Sequence, residues 1–128
     1  MRPVNLFLTE DGVLKLGYYG LITQAECYSS KKKDCYGIRS FAPEVFEGGY
    51  EMKSDVWSLG ITLIEMMGIT PHSSSDPDQL FEDMENGDSP FDASDIESIQ
   101  LIDFLEKCFE RVSFRWSVKE LMTVSVMG

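Results

Sequence analysis

Lys53-Ser54-Asp55-Val56-Trp57-Ser58-Leu59-Gly60-Ile61-Thr62-Leu63-Ile64-Glu65-Met66-Met67 is the stretch that decides the fold. Wound as a helix, residues 55–67 carry apolar side chains around nearly the whole circumference, and a helix apolar all round is a buried one. Ser54 is the expected N-cap, and Asp55 suits the positive end of the helix dipole. Gly68 supplies the C-terminal stop, and Pro71 keeps the helix from resuming. Residues 56–69, the most apolar run, are interrupted by Glu65 and too short to cross a bilayer. The run is the spine of a globular unit.

Upstream, Pro43 opens a short helical turn that Gly48-Gly49 closes. Residues 4–8 and 13–19 are apolar and β-compatible, and the Asp11-Gly12 pair between them signals a hairpin turn. Residues 21–40 are polar and without period. Irregular chain of that length inside a domain tends to be functional or disordered. Downstream, a loop over 72–78 precedes a short acidic helix over 79–85, ending near Gly87. Residues 95–109 place apolar side chains at helical spacing, and Ser117-Val-Lys-Glu120 is a capping box that opens a last short helix. The expected architecture is mainly α with a small β-hairpin, one unit over 1–124 followed by a 125–128 tail.

Of the 128 residues, 43% are hydrophobic and 26% charged, an ordinary globular composition. The formal charge of −11 opposes binding to nucleic acid or to an anionic membrane surface. Acidic residues are densest over 76–97, with a basic island, Lys31-Lys32-Lys33, upstream. Cys27, Cys35 and Cys108 form no metal-ligand spacing. Free thiols in a reducing compartment are the expectation, and a Cys27–Cys35 bridge is the alternative. The N-terminus has no apolar leader core. Cytoplasmic residence follows, with the nucleus as the other option.

Ala42-Pro43-Glu44, followed by Lys53-Ser-Asp-Val-Trp-Ser-Leu-Gly60, resembles the eukaryotic protein kinases, which carry an APE motif and then an SDVWSLG motif. The ordered pair is far more specific than either part, and Ile61-Thr-Leu-Ile-Glu-Met extends it in wording similar to the Ste-type serine/threonine kinases. Arg2-Pro-Val-Asn5 looks like the end of the catalytic loop, HRDxKPxN. Leu14-Lys-Leu-Gly-Tyr-Tyr-Gly20 stands in the place of the metal-binding DFG and its preceding strand. Cys108-Phe-Glu-Arg-Val-Ser-Phe-Arg115 is similar to the late segment whose arginine pairs with the APE glutamate.

The resemblance implies a partial kinase C-terminal lobe from an α+β parent fold: catalytic-loop end, activation segment 21–44, helical lobe 45–124. It implies ATP and magnesium in the parent family and protein substrates or partners in signalling. It assigns Asn5 to metal and nucleotide, and Glu44 with Arg115 to a buried ion pair, against the plain reading of two solvated surface charges. Asp55 would accept hydrogen bonds from catalytic-loop backbone, or simply cap its helix.

The departures are as informative. Counting back from Asn5, the HRD aspartate would precede Met1, and no glycine-rich loop or nucleotide lysine lies in the sequence; the expectation is that Met1 is an internal methionine of a longer protein. Tyr18 stands where DFG has its aspartate, and a neutral phenol is a poor magnesium ligand. Asn5 alone should hold the ion weakly. Residues 37–42 are one position shorter than the GTRSYMA of related kinases, with Ile38 in place of threonine. Arg2 replaces a lysine near the catalytic loop, keeping charge but not the compact ammonium. Tyr28, Ser29, Ser30 and Tyr36 lie beside the lysine island and are candidate phosphorylation sites, or ordinary solvated hydroxyls. The chain by itself is expected to be catalytically inactive and to bind neither ATP nor magnesium. Its parent is a serine/threonine kinase, or a pseudokinase that scaffolds or activates another protein.

Overall fold

The computed structural model describes residues 3–17, 39–74 and 76–124. It is mostly helical, with one two-stranded antiparallel sheet. The chain enters through a 3-10 turn, Pro3–Asn5, into strand β1, Leu6–Leu8, which pairs with β2, Leu14–Leu16. Leu6 faces Leu16, Phe7 faces Lys15 and Leu8 faces Leu14. Gly12, at φ 78°, makes the tight turn, donating its N–H to the Thr9 carbonyl at 2.9 Å. The hairpin is therefore where the Asp-Gly signal put it, with shorter strands than the apolar runs suggested. Pro3 and Asn5 spend themselves in the 3-10 turn, and Tyr18 and Tyr19 lie outside the described residues.

Helix α1, Pro43–Phe46, begins on its proline, which needs no hydrogen-bond partner there. Gly48, at φ 78°, turns the chain out of it, and Gly49 donates back to the Glu44 carbonyl at 2.9 Å. Helix α2, Ser54–Met66, is the central element, with Val56, Trp57, Ile61 and Ile64 fully buried. Gly68 follows it at φ 80°, and Ile69 donates to the Ile64 carbonyl, the left-handed ending the sequence anticipated. One flank of the helix is less covered: Leu59 and Leu63 are half-buried, and Met66 is exposed.

Ser54 is not the N-cap. Lys53 holds that position, and no side chain caps the helix. The Ser54 hydroxyl accepts the Glu51 N–H at 3.0 Å and donates to Glu44 at 2.8 Å. A carboxylate from another element has outcompeted the local cap.

Helix α3, Pro77–Asn86, starts earlier than residue 79 because Asp76 caps it, accepting the Asp78 N–H at 3.0 Å. It ends on Gly87 at φ 75°. The helix expected over 95–109 is broken. A 3-10 turn, Ala93–Asp95, gives way to extended backbone at Ile96, and Ser98 then caps α4, Ile99–Cys108, through the Leu101 N–H. Ile96 is buried all the same, so it fills the core from an extended segment. Helix α5, Val118–Leu121, opens on the reciprocal Ser117–Glu120 capping box.

Two apolar clusters hold these pieces. The larger joins Ala42, Trp57, Ile61, Ile64, Leu80, Met84, Ile96 and Leu105; the smaller joins Val56, Phe104, Cys108 and Leu121. Helices α2 and α4 meet at Gly60, where an added Cβ would lie 2.7 Å from the Phe109 ring and 2.9 Å from the Cys108 Cβ. Only glycine permits that approach. Cys108 is a free buried thiol whose burial pushes its pKa up to about 12; Cys27 and Cys35 lie outside the described residues.

Candidate functional site

The described side chains of chemical interest fall into a charged hub under α2 and a polar end of the hairpin. The hub begins with Arg115, delivered by the turn after α4 and almost fully buried. Its Nη1 donates to Glu44 Oε1 at 2.6 Å and its Nη2 to Glu44 Oε2 at 3.1 Å, a bidentate pair. Nη1 also reaches the Lys53 carbonyl at 2.9 Å, and Nε the Glu110 carbonyl at 3.0 Å. The guanidinium stacks over Trp57, 5.2 Å from the ring centroid. Thus the charge is buried with four of its five N–H donors used and its face covered.

Glu44 receives Arg115 and Ser54 together. Burial alone would push its carboxyl up; the Arg115 guanidinium, backbone N–H and Ser54 hydroxyl outweigh that and hold it below the usual carboxylate range. The surface-charge reading of this pair is excluded.

The chain entering α1 is held by the same helix. Ser58 donates to the Ser40 carbonyl at 2.7 Å, and Thr62 donates to Ser58's own carbonyl at 2.8 Å. Arg39, nearly buried, donates to the Ser74 carbonyl at 2.6 Å. Next to it lies His72, buried, left-handed at φ 44°, and stacked 6.5 Å from Trp57. Among the described residues, His72 Nε2 and the Trp57 indole N–H have no hydrogen-bond partner. Burial pushes the His72 imidazole down to about 4; the Asp83 and Asp88 charges oppose this, and Arg39 adds to it.

Asp55 sits exposed on the first turn of α2 and accepts the Tyr50 hydroxyl at 2.5 Å. Among the described residues, no hydrogen bond reaches it from the 3-10 turn before β1, although that turn packs against α2.

At the hairpin, the Gly17 N–H donates to the Asn5 carbonyl at 2.8 Å. This pairing sets Asn5 opposite Gly17 at the end of the sheet. The side chains from Leu6 to Leu8 and from Leu14 to Leu16 include a single ionic group, Lys15, and no carboxylate. The nearest acids along the chain, Glu10 and Asp11, lie in the turn at the opposite end of the hairpin. Among the described residues, no group of three His, Cys, Asp or Glu could hold a metal ion. Arg2, Tyr18, Tyr28, Ser29, Ser30 and Tyr36 lie outside the described residues.

The structure therefore joins Glu44 and Arg115, separated by 71 positions, and sets the Tyr50 hydroxyl on Asp55. Sequence reading missed Ser54, Ser58 and Thr62 as a buried hydroxyl stripe, and missed Arg39, Tyr50 and His72 altogether. A signal for the stripe was present: hydroxyls four residues apart on an otherwise apolar helix share one face.

The chain matches the Protein kinase domain family over residues 1–127. It is 35% identical over 133 residues to Serine/threonine-protein kinase SKM1 of Saccharomyces cerevisiae, covering 100% of this chain and 20% of that protein. It is 37% identical over 112 residues to Serine/threonine-protein kinase 1 of Arabidopsis thaliana, covering 84% of this chain and 13% of that protein. To Serine/threonine-protein kinase dst1 of Dictyostelium discoideum it is 36% identical over 123 residues, 92% of this chain and 17% of that protein. The chain spans a fifth or less of the length of these relatives. With its buried Glu44–Arg115 pair under a buried central helix, the chain belongs to the protein kinase domain family.

Proposed function

We propose that the chain is the part of a serine/threonine-type kinase domain that runs from the catalytic-loop end through an activation segment at 21–44 to a helical lobe at 45–124, the C-terminal lobe of the parent fold. Its work is to hold the end of the activation segment and to present a protein-binding surface in signalling. The observation that carries this reading is the hub: Arg115, Glu44 and Ser54 fasten α1 to α2, while Ser58 fastens the chain just before it.

The chemistry of phosphoryl transfer is not matched in the same way. Transfer depends on metal ions that neutralise charge on the phosphates, and those ions need carboxylate oxygens. Around Asn5 the hairpin offers leucines, a phenylalanine and a lysine, and the DFG-like position is Tyr18. That donor set does not fit magnesium on a nucleotide, so no catalytic step is assigned to it. The parent is accordingly read as a pseudokinase. A second reading, an active parent kinase, is favoured by the retained Asn5 and by the integrity of the hub.

The test is direct. The chain, mixed with Mg²⁺-ATP and a protein acceptor, is expected to transfer no phosphate, and its melting temperature with ATP is expected to be the same with and without Mg²⁺. Turnover that Asn5→Ala abolishes would overturn the reading. Residence in the cytoplasm or nucleus is proposed on the three unpatterned cysteines, and Tyr28, Ser29, Ser30 and Tyr36 are proposed as regulatory phosphate acceptors beside the lysine island. No helix among the described residues is long and apolar enough to cross a membrane.

A further inference from the structure

Between α1 and α2 the chain makes a strap over 47–52 that the hub does not explain. Residues 47–52 are all exposed, and Gly48 and Gly49 leave the backbone accessible. The attachments that hold the strap down include the Gly49 N–H on the Glu44 carbonyl, the Glu51 N–H on Ser54 Oγ, and the Tyr50 hydroxyl on Asp55. Tyr50 is the only side chain among these attachments that reaches from the strap to the helix. Its ring borders a small cleft with Phe41, Ala42, Val45 and Ser58, and it is nevertheless 45% exposed. The strap's composition is one-sided. Glu47 and Glu51 flank the tyrosine, and Asp55 receives its hydroxyl. The nearby Arg115 is already committed to Glu44 and two carbonyls.

We propose that Tyr50 is a phosphoacceptor for a tyrosine kinase, and that a phosphate there releases the strap from the start of α2. In the modifying reaction the phenol oxygen bonds to the γ-phosphorus of ATP, the bond to the β–γ bridging oxygen breaks, and ADP leaves. The phenol proton passes to the modifying enzyme's base. The product has lost the donor that Asp55 accepted and carries nearly two negative charges beside that carboxylate. Repulsion from Asp55, Glu47 and Glu51, three carboxylates against the single nearby cation of Lys53, drives the ring out of its cleft. This inference does not depend on the chain's own catalytic competence.

The experiment treats the full chain with a tyrosine kinase catalytic domain and Mg²⁺-ATP, maps phosphate by peptide mass spectrometry, and follows amide hydrogen exchange. Phosphate is expected on Tyr50, with exchange at Gly49 and Glu51 faster by about tenfold and α4 amides unchanged. Tyr50→Phe removes the hydrogen bond without adding charge, so its exchange at the same amides should rise by less. Absence of phosphate at Tyr50 would overturn the proposal. So would a phosphorylated chain whose strap exchanges as slowly as the unmodified one, or no faster than the Phe variant.

Discussion

The hairpin and the helical region belong to one short chain, yet they treat polar and apolar groups in opposite ways. Under α2, charged and hydroxyl groups are taken out of water and partnered: Arg115 with Glu44, Ser54 with Glu44, Ser58 with Ser40. In the hairpin, apolar groups are left in water: Leu8 is 72% exposed and Leu14 63%. Burial of an unpaired charge is costly, so a buried ion pair persists only while its geometry is complete. Exposed leucines impose no such condition on this unit. The comparison teaches that structural integrity here resides in the helical region, while the described hairpin leucines are left largely in water.

The sharpest way to break this contrast is to delete one partner of the pair. Arg115→Ala leaves Glu44 with its burial and without its cation, and the loss of stability should be about 3–5 kcal/mol, read by chemical denaturation. A loss under about 1 kcal/mol, the range of exposed pairs, would mean that the hub is solvated and the contrast false.

Acid probes the same region with a smaller effect. His72 binds a proton in the unfolded chain near its ordinary pKa of 6.5 but in the folded chain only near 4. The unfolded state therefore holds more protons between those values, and stability must fall as pH falls through that window. The loss amounts to about 3 kcal/mol by pH 4. Glu44, held below the carboxylate range, works in the same direction but only at lower pH, where its pair with Arg115 is protonated away. His72→Asn suits the left-handed backbone and should flatten the upper window. A stability profile unchanged by that substitution between pH 6.5 and 4 would show that the imidazole is not sealed from water.

What the sequence revealed follows from the same division. The Glu44–Arg115 pair was legible because both residues lie in motifs of fixed wording, and the Ser117–Glu120 box because capping is local. Ser54 was misread because its local role lost to a carboxylate ten positions upstream, a competition that no local pattern records. The helix over 95–109 was misread because Ile96 carries the right apolar spacing while Ser98 supplies a stronger start three residues inside it. His72 and Tyr50 gave no signal at all: one is an unpatterned histidine after a proline, the other a tyrosine in a glycine turn. Their roles arise from what packs against them. The apolar runs of the hairpin were plain, but an apolar run does not say which face is covered.

That last point yields the smallest expected effect. If the hairpin leucines contribute nothing to this unit, Leu8→Thr and Leu14→Thr should each shift stability by no more than about 0.5 kcal/mol, since threonine keeps strand propensity and little burial is lost. The pair faces itself across the sheet, so the double variant tests whether their mutual contact matters. Near-additive small losses would keep the asymmetry. A drop of more than about 2 kcal/mol from either single change would reveal a covered face, because only removal of well-packed apolar surface costs that much. The hairpin would then belong to the same core as α2.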